Sequence, residues 1–422
     1  MNYLMFERGT LPRWAEVRYQ IDPTEITDVD AAVETALSKV SGRIRPGQTV
    51  CLTVGSRGID RIAEVARAMV TQIRQLGAEV FIIPAMGSHG GATAEGQLEV
   101  LASYGVTPES MGCDIRASME TACIGEVEGG VPVFVDRYAY EADVIIPMNR
   151  VKPHTDFHGP VESGLLKMIA IGLGKQKGAD TFHAQGFAEF HRLIPAVGRY
   201  TIAKLNIPFG VALVENGHAR LSMIEAVESE RIWEREQELL QTARERMARL
   251  PIKALDVLIL DYIGKDISGL GMDSNVVGRY YTGPTGTGPD IQRIIVRDLT
   301  PDTEGNAVGI GMADVALSQA VRKMDIEKTY MNCITAKTPE GARVALTVDT
   351  DREAVAVALA CSLKVTTEQA RIVRLRDTKH LDRFYATESL LPELLATGRC
   401  EVVGELHAIQ FDEQGMLIDK EV

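Results

Sequence analysis

The feature that most constrains this chain is a rhythm of short apolar runs alternating with helical patterns. The run 49–55 (TVCLTVG) is β-rich and ends in Gly, and 79–85 (EVFIIPA) reads as another buried strand. Between them, 61–77 (RIAEVARAMVTQIRQLG) has apolar residues at helical spacing and a Gly stop. The stretch 92–105 (ATAEGQLEVLASYG) predicts a helix, with the loop GSHGG (87–91) just before it, and 142–151 (ADVIIPMNRV) predicts a further buried strand. Strand–helix–strand order of this kind gives a mainly parallel sheet covered by helices. Ligands of such sheets bind beyond the C-terminal strand ends. The loops 55–58 (GSRG), 87–91 and 149–154 (NRVKPH) all follow strands, so all three are expected on one face.

A chain of 422 residues exceeds the usual size of one core, so two domains are expected. The charged amphipathic segment 228–251 predicts a long helix ended by Pro251, and the boundary is placed there. Residues 1–251 then form an N-terminal cofactor and catalytic domain. Residues 252–404 form a second α/β domain, and the tail 405–422 can return to the first. In the second domain 254–264 and 291–298 read as strands, 314–324 as a helix, and 351–363 and 367–375 continue the alternation. The segment 405–418 reads as strand–turn–strand. The expected fold class is two α/β domains with mainly parallel sheets flanked by helices and an active-site cleft between them.

Charge narrows the partners. The net charge of -13 argues against nucleic acid, which needs a basic surface, but not against a small anion held by one local Arg or Lys. The six cysteines are scattered without a C-x-x-C pair, which fits reduced cytoplasmic thiols. The first residues carry charges and a proline and no apolar h-region, so no signal peptide is read there. No stretch approaches the length of a membrane span.

Histidine is scarce, eight in the chain, and five fall in two places. His89 sits in GSHGG, where flanking glycines let the backbone approach a ligand. A loop His that caps the next helix is the plainer alternative. His154, His158, His183 and His191 cluster around PHTDFHGPVESGLLKMIAIGLGKQKGADTFHAQGF. Lys167 lies there in an apolar stretch, where it either snorkels or is used, because burying an unpaired ammonium is costly. A desolvated Lys has a lowered pKa and a reactive amine. Imidazoles titrate near neutrality, so a pair can take and return protons on two faces of one carbon, and imidazole also binds Ni, Zn, Cu and Fe. The spacing H-x3-H at 154 and 158 suits zinc only on a helix, and Pro153, Asp156 and Gly159 argue against one. Arg57 in GSRG is a candidate carboxylate clamp, since a guanidinium grips carboxylates bidentately. Lys265, Asp273, Asn275 and Arg279, in the Gly-rich loop 266–290, could complete a cleft; a phosphate cradle or a lid is the plainer reading. GTGPD and GLGMD match neither a Walker A nor a Rossmann fingerprint. These residues leave a metal-dependent hydrolase or lyase, or a non-catalytic sugar-acid-binding protein, open beside an acid–base enzyme.

Three stretches resemble the nickel-dependent lactate racemase family. They are TVGSRG with AMGSHGGAT, then NRVKPHTDFHGPVESGLLKM with GADTFH, then IGKDISGLGMDSNVVGR with GNAVGIGMAD. The resemblance implies a racemase or epimerase of a 2-hydroxy acid working by hydride shuttle. It implies a cofactor too, a nickel-pincer nucleotide (pyridinium-3-thioamide-5-thiocarboxylic acid mononucleotide) joined to Lys167 through a thioamide. His183, sixteen residues after Lys167, matches the nickel ligand. His89 matches one acid/base. For the second, His158 fits the family's distance to the Lys, while His154 fits its Pro-His dipeptide; His158 is preferred and His154 kept as the alternative. Gly87 and Ser88 are carried as cofactor contacts, and Arg57, Lys265, Asn275 and Arg279 as substrate contacts. Cofactor maturation enzymes are implied partners, and a host without them would yield protein lacking the cofactor. The lactate enzymes carry an Asp-Thr-type loop before the Arg and a Gln and a Lys after the second Gly loop. Here those regions read Val54-Gly55-Ser56 and Asn275-Val276-Val277-Gly278-Arg279. The expected substrate is therefore larger or more polar than lactate, such as a sugar acid.

Overall fold

The strand Thr49–Val54 is buried along almost its whole length, as its apolar run requires of a central parallel strand. In the computed structural model, which describes residues 3–155, 157–281 and 288–419, it pairs in parallel with Glu79–Pro84 on one side and Val144–Ile146 on the other. Asp156 and residues 282–287, which include the start of GTGPD, lie outside the described residues. The helix Ile62–Gln75 buries Ile62, Val65, Ala66, Met69, Val70 and Ile73, an apolar stripe at three- and four-residue spacing. Ala94–Ser103 is the next helix, with the Thr93 side chain accepting from the Gly96 N–H as its N-cap.

The single strand expected over 142–151 is two, Val144–Ile146 and Met148–Arg150, in different sheets. Pro147 has no N–H to continue the ladder, so the chain steps to a new partner there. Met148–Arg150 pairs in parallel with Phe209–Glu215, which pairs antiparallel with Leu221–Glu228. The charged helix is shorter than expected, Ile232–Arg246, and buries Ile232, Leu239, Leu240 and Ala243 against Leu165, Leu166, Phe190 and their neighbours. These elements make up the unit Pro23–Met247.

The second unit joins Met1–Asp22 to Ala248–Val422. Its eight-stranded sheet begins with five parallel strands in the order Leu346–Val348, Val315–Leu317, Asp290–Leu299, Ala254–Ile263 and Ile372–Leu375. Three antiparallel strands follow, Arg383–Thr387, Arg13–Tyr19 and Cys400–Ala408. This corrects the expected partition at both ends. Residues 1–22 leave the segment that follows them because Arg13–Tyr19 is zipped between two C-terminal strands, and the tail stays in its own unit through the same pairing. The helix expected over 314–324 is also divided. Val315, Ala316 and Leu317 are buried and paired on both sides as a strand, and only Ser318–Lys323 is helical. Both units are α/β with mainly parallel sheets flanked by helices. No helix among the described residues is long and apolar enough to cross a membrane.

Trp14 fastens the N-terminal strand. Its side chain is fully buried and its ring stacks on Tyr385 at 5.0 Å between centroids. Trp14→Ala should lower unfolding free energy by about 3–5 kcal/mol, read from urea denaturation followed by circular dichroism. An unchanged midpoint and slope would show that the strand does not hold this sheet.

Candidate active site

The C-terminal ends of three strands in the unit Pro23–Met247 meet around one cavity of about 150 Å³. Gly55, Ser56 and Arg57 come from the loop after Thr49–Val54, and Ala85, Met86 and His89 from the loop after Glu79–Pro84. Asn149 and Arg150 end the strand Met148–Arg150, and Ser163, Lys167, Met168, Ile171 and Gly172 close the wall. The three loops expected on one face are thus brought together.

Each loop is fixed by backbone contacts. The Arg57 N–H donates to the Tyr104 hydroxyl at 2.9 Å, and Arg150 donates to the Arg57 carbonyl at 3.3 Å. Arg150 is itself held by Glu215 at 2.5 Å. Ser56 Oγ meets His89 Nδ1 at 2.5 Å. Behind His89, Gly90 has φ +67° and lies so close to the next helix that a Cβ there would sit 2.6 Å from the Gly96 backbone, which only glycine permits.

The segment after Arg150 has little regular structure until Leu165, so its buried N–H groups need side-chain acceptors. Glu162 supplies them. Its side chain is fully buried and accepts from the His154 N–H at 2.6 Å and the Gly159 N–H at 3.4 Å. It also meets His158 Nδ1 at 3.0 Å and Arg244 at 2.6 Å. The His154 ring packs on Phe157 at 4.3 Å. Burial holds its pKa well below the usual imidazole value, assisted by the positive charges of Lys167, Arg57, His158 and His183. That electrostatic reach puts His154 among the other candidates.

Lys167 lies on the short helix Leu165–Lys167, which passes into a π-helical turn, Met168–Gly172, a feature frequent at functional sites. Its ammonium lies 5.7 Å from the centroid of the Phe157 ring. The helix start is capped from outside by Glu236, whose Oε2 accepts from the Leu166 N–H at 2.9 Å. Gly164 is needed there because a Cβ would lie 2.1 Å from Glu236 Oε1. His183 occupies the last turn of Lys175–Gln185, against Phe187 and Phe190. His191 bonds to the Ala188 carbonyl through Nδ1 and ends as a local cap. Gly87 N–H meets the Gly172 carbonyl at 3.3 Å, which ties the His89 loop to the π-helical turn.

Lys265, Asn275 and Arg279 belong to the other unit. Lys265 Nζ donates to the Gly269 carbonyl, and Asn275 is buried between Asp273 and the Tyr280 hydroxyl. Arg279 is tied into its own unit by several bonds. Its guanidinium pairs with Asp314 at 2.6 Å and donates to the carbonyls of Met312, Ile291 and Gln292. Ser56, Asn149, Glu162, Ser163, Glu236 and Arg244 are site or support residues that the sequence reading passed over. The one available signal was Glu162, an acid four residues after His158 in an apolar stretch. No three His, Cys, Asp or Glu side chains gather as a metal-binding group among the described residues.

Burial pushes the Glu236 carboxyl up to about 8, outweighing the Leu166 and Leu165 N–H groups that favour its charge. The folded protein then keeps a proton that the unfolded chain releases above the ordinary value of 4.5. Glu236 therefore contributes stability that is complete below about pH 4.5 and is lost as pH rises through about 8. Wild-type unfolding free energy should fall by roughly 3–5 kcal/mol across that window, and Glu236→Gln should flatten the fall. Equal slopes in urea titrations of the two proteins would sink this assignment.

A family model described as the lactate racemase N-terminal domain matches residues 13–192. The solved lactate racemase apoprotein from Thermoanaerobacterium thermosaccharolyticum superposes with a TM-score of 0.55 at 15% identity, covering 86% of this chain and 98% of that one. A crystal structure of a Thermotoga maritima protein gives 0.50 at 14% identity, covering 80% and 92%. At such identities the likeness is one of fold. No curated protein matches the chain. The matched stretch contains Arg57, His89, His154, His158, Lys167 and His183, so the part of the chain that holds these candidates is similar to the lactate racemase N-terminal domain.

Proposed function

We propose that this protein is a racemase or epimerase of 2-hydroxy acids, acting through a nickel-pincer nucleotide joined to Lys167. The observation that carries the reading is the meeting of Arg57, His89 and Lys167 on one cavity, with His154 within electrostatic reach of Arg57, Lys167 and His183. The residues suit the group by their donor chemistry. The Lys167 amine opens onto the cavity, and His183, within electrostatic reach of His154, would be the imidazole offered to nickel. With no cluster of three protein ligands among the described residues, further donors would come from the organic group. When bound, the nucleotide supplies the hydride acceptor and donor that the substrate Cα requires.

The chain's own residues bind, orient and move protons. Arg57 grips the substrate carboxylate, its backbone fixed by Tyr104 and Arg150. His89 and His154 take the hydroxyl proton on one face and return it on the other. Burial and the cations around it favour the neutral form of His154, which leaves a ring nitrogen free to accept a proton but makes it a weaker base than an ordinary imidazole. His154, in the Pro-His dipeptide, is taken as the second proton carrier, and His158, bonded to Glu162 beside Arg244, as part of the support. Ser56, Asn149 and Ser163 give the wall hydrogen-bonding groups that a lactate methyl cannot use. A polyhydroxy acid would use them, which supports a sugar-acid substrate.

The test is intact mass and nickel content of protein co-produced with the cofactor maturation enzymes, followed by a panel of single-enantiomer 2-hydroxy acids. An adduct absent from Lys167→Ala, and nickel that falls in His183→Ala, are expected. Neither adduct nor nickel, under conditions that load a lactate racemase, would overturn the reading. Turnover of lactate alone would reject the larger substrate. His89→Gln and His154→Gln should each lower turnover by about 10²–10⁴-fold with the adduct intact, whereas His158→Gln should retain measurable activity. The reverse ranking of the last two would return the role to His158.

A further inference from the structure

The loop Gly87–Gly91 has few side chains with which to hold His89 in place. It is gripped instead through its carbonyls by Gln97, a fully buried residue of the helix Ala94–Ser103. Gln97 Nε2 donates to the Gly87 carbonyl at 2.9 Å and to the His89 carbonyl at 3.2 Å. Its Oε1 accepts from Lys175 Nζ at 3.0 Å. Both ends of the amide are thus used, and its orientation is set.

Lys175 is fully buried, and its ammonium has two hydrogen-bond acceptors and one ion-pair partner. They are the Gln97 Oε1, the Pro84 carbonyl at 2.5 Å and Asp136 Oδ2 at 3.0 Å. Pro84 ends the strand that leads into the His89 loop. Asp136 is also fully buried, and its other oxygen accepts from the Ala139 N–H. Lys175 is the first residue of the helix Lys175–Gln185, which carries His183 near its other end. A buried ion pair seldom adds net stability over an apolar replacement, so a specific geometric task is the better account of this one.

We propose that Gln97 is a positioning residue for His89, locked by the Lys175–Asp136 pair, and that this brace fixes the His89 loop against the helix bearing His183. The inference deepens the racemase reading and rests on it for the role of His89. The brace itself can be tested without activity.

Gln97→Met removes both bonds to the loop at similar volume. Gln97→Glu keeps an acceptor for Lys175 but turns a carboxylate oxygen toward two carbonyls. Lys175→Met with Asp136→Asn removes both buried charges together, so the fold is spared an unpaired ion. Imidazole NMR of cofactor-free protein labelled at histidine, with His89 assigned through His89→Gln, reads the ring directly. All three variants should shift and broaden the His89 signals and leave His407 unmoved. In the loaded enzyme, kcat per nickel should fall about tenfold to a hundredfold while KM stays within about twofold. His89 signals unchanged in folded Gln97→Met would overturn the brace. So would Gln97→Glu behaving as wild type, or an activity loss that only tracks lost cofactor. Shifted His89 signals in a protein that racemises nothing would uphold the brace and remove the proposed activity.

Discussion

Irregular backbone buried inside a protein must find acceptors for its N–H groups, and in this chain two buried carboxylates provide them where it matters. Glu162 gathers the N–H groups of His154 and Gly159, the His158 ring and Arg244. Glu236 caps the helix that starts at Leu165 and carries Lys167. Both Glu236 and Arg244 stand on the helix Ile232–Arg246, so one amphipathic helix organises the segment from behind. Its apolar stripe packs on the core, and two polar side chains reach through to the loop. Removing either carboxylate would leave buried donors without partners, each costing about 1–3 kcal/mol. The positions of His154, His158 and Lys167 therefore depend on residues some eighty places away in sequence.

The electrostatics of the site run against the charge of the whole. The chain carries a net charge of -13, yet Arg57, Arg150 and Lys167 line one small cavity with His89, and His183 adds to the field at His154. The carboxylates nearby do not cancel that field where a substrate would sit. Glu215 is turned to Arg150 and Glu162 to Arg244 and His158. What remains is Arg57 and Lys167 on one small cavity in an acidic protein, a local arrangement that suits a small anion and gives no general affinity for polyanions.

Much of this was legible in the sequence. Apolar runs bounded by glycine marked Thr49–Val54 and Glu79–Pro84, and the loops after them do line the cavity. The failures have physical causes. Pro147 split an apolar run whose composition reads as continuous. Val315–Leu317 is strand because sheet partners stand on both sides, which no local pattern reports. Arg13–Tyr19 pairs with strands near the other end of the chain, a long-range closure invisible to periodicity. The bonds from Arg279 to the carbonyls of Ile291, Gln292 and Met312 likewise have no mark in its Gly-rich loop. Glu162, Gln97 and Glu236 were passed over because a buried polar residue on an ordinary helix or loop has no signature until its partners are known.

The anchors of two histidines differ in a way that bears on what each can do. His158 Nδ1 faces a carboxylate, which only accepts, so that nitrogen carries a proton and the ring orientation is fixed. His89 Nδ1 faces the Ser56 hydroxyl, which can donate or accept. The Ser56 contact therefore survives when the far nitrogen of His89 gains a proton and when it loses one. On the proposed mechanism each histidine takes a proton when one enantiomer reacts and supplies one when the other does, so its ring must be held in both states. A hydroxyl at this position can hold the ring whether or not its far nitrogen carries a proton. Gln97, gripping the loop carbonyls from the opposite side, then holds the backbone while the ring changes its protonation.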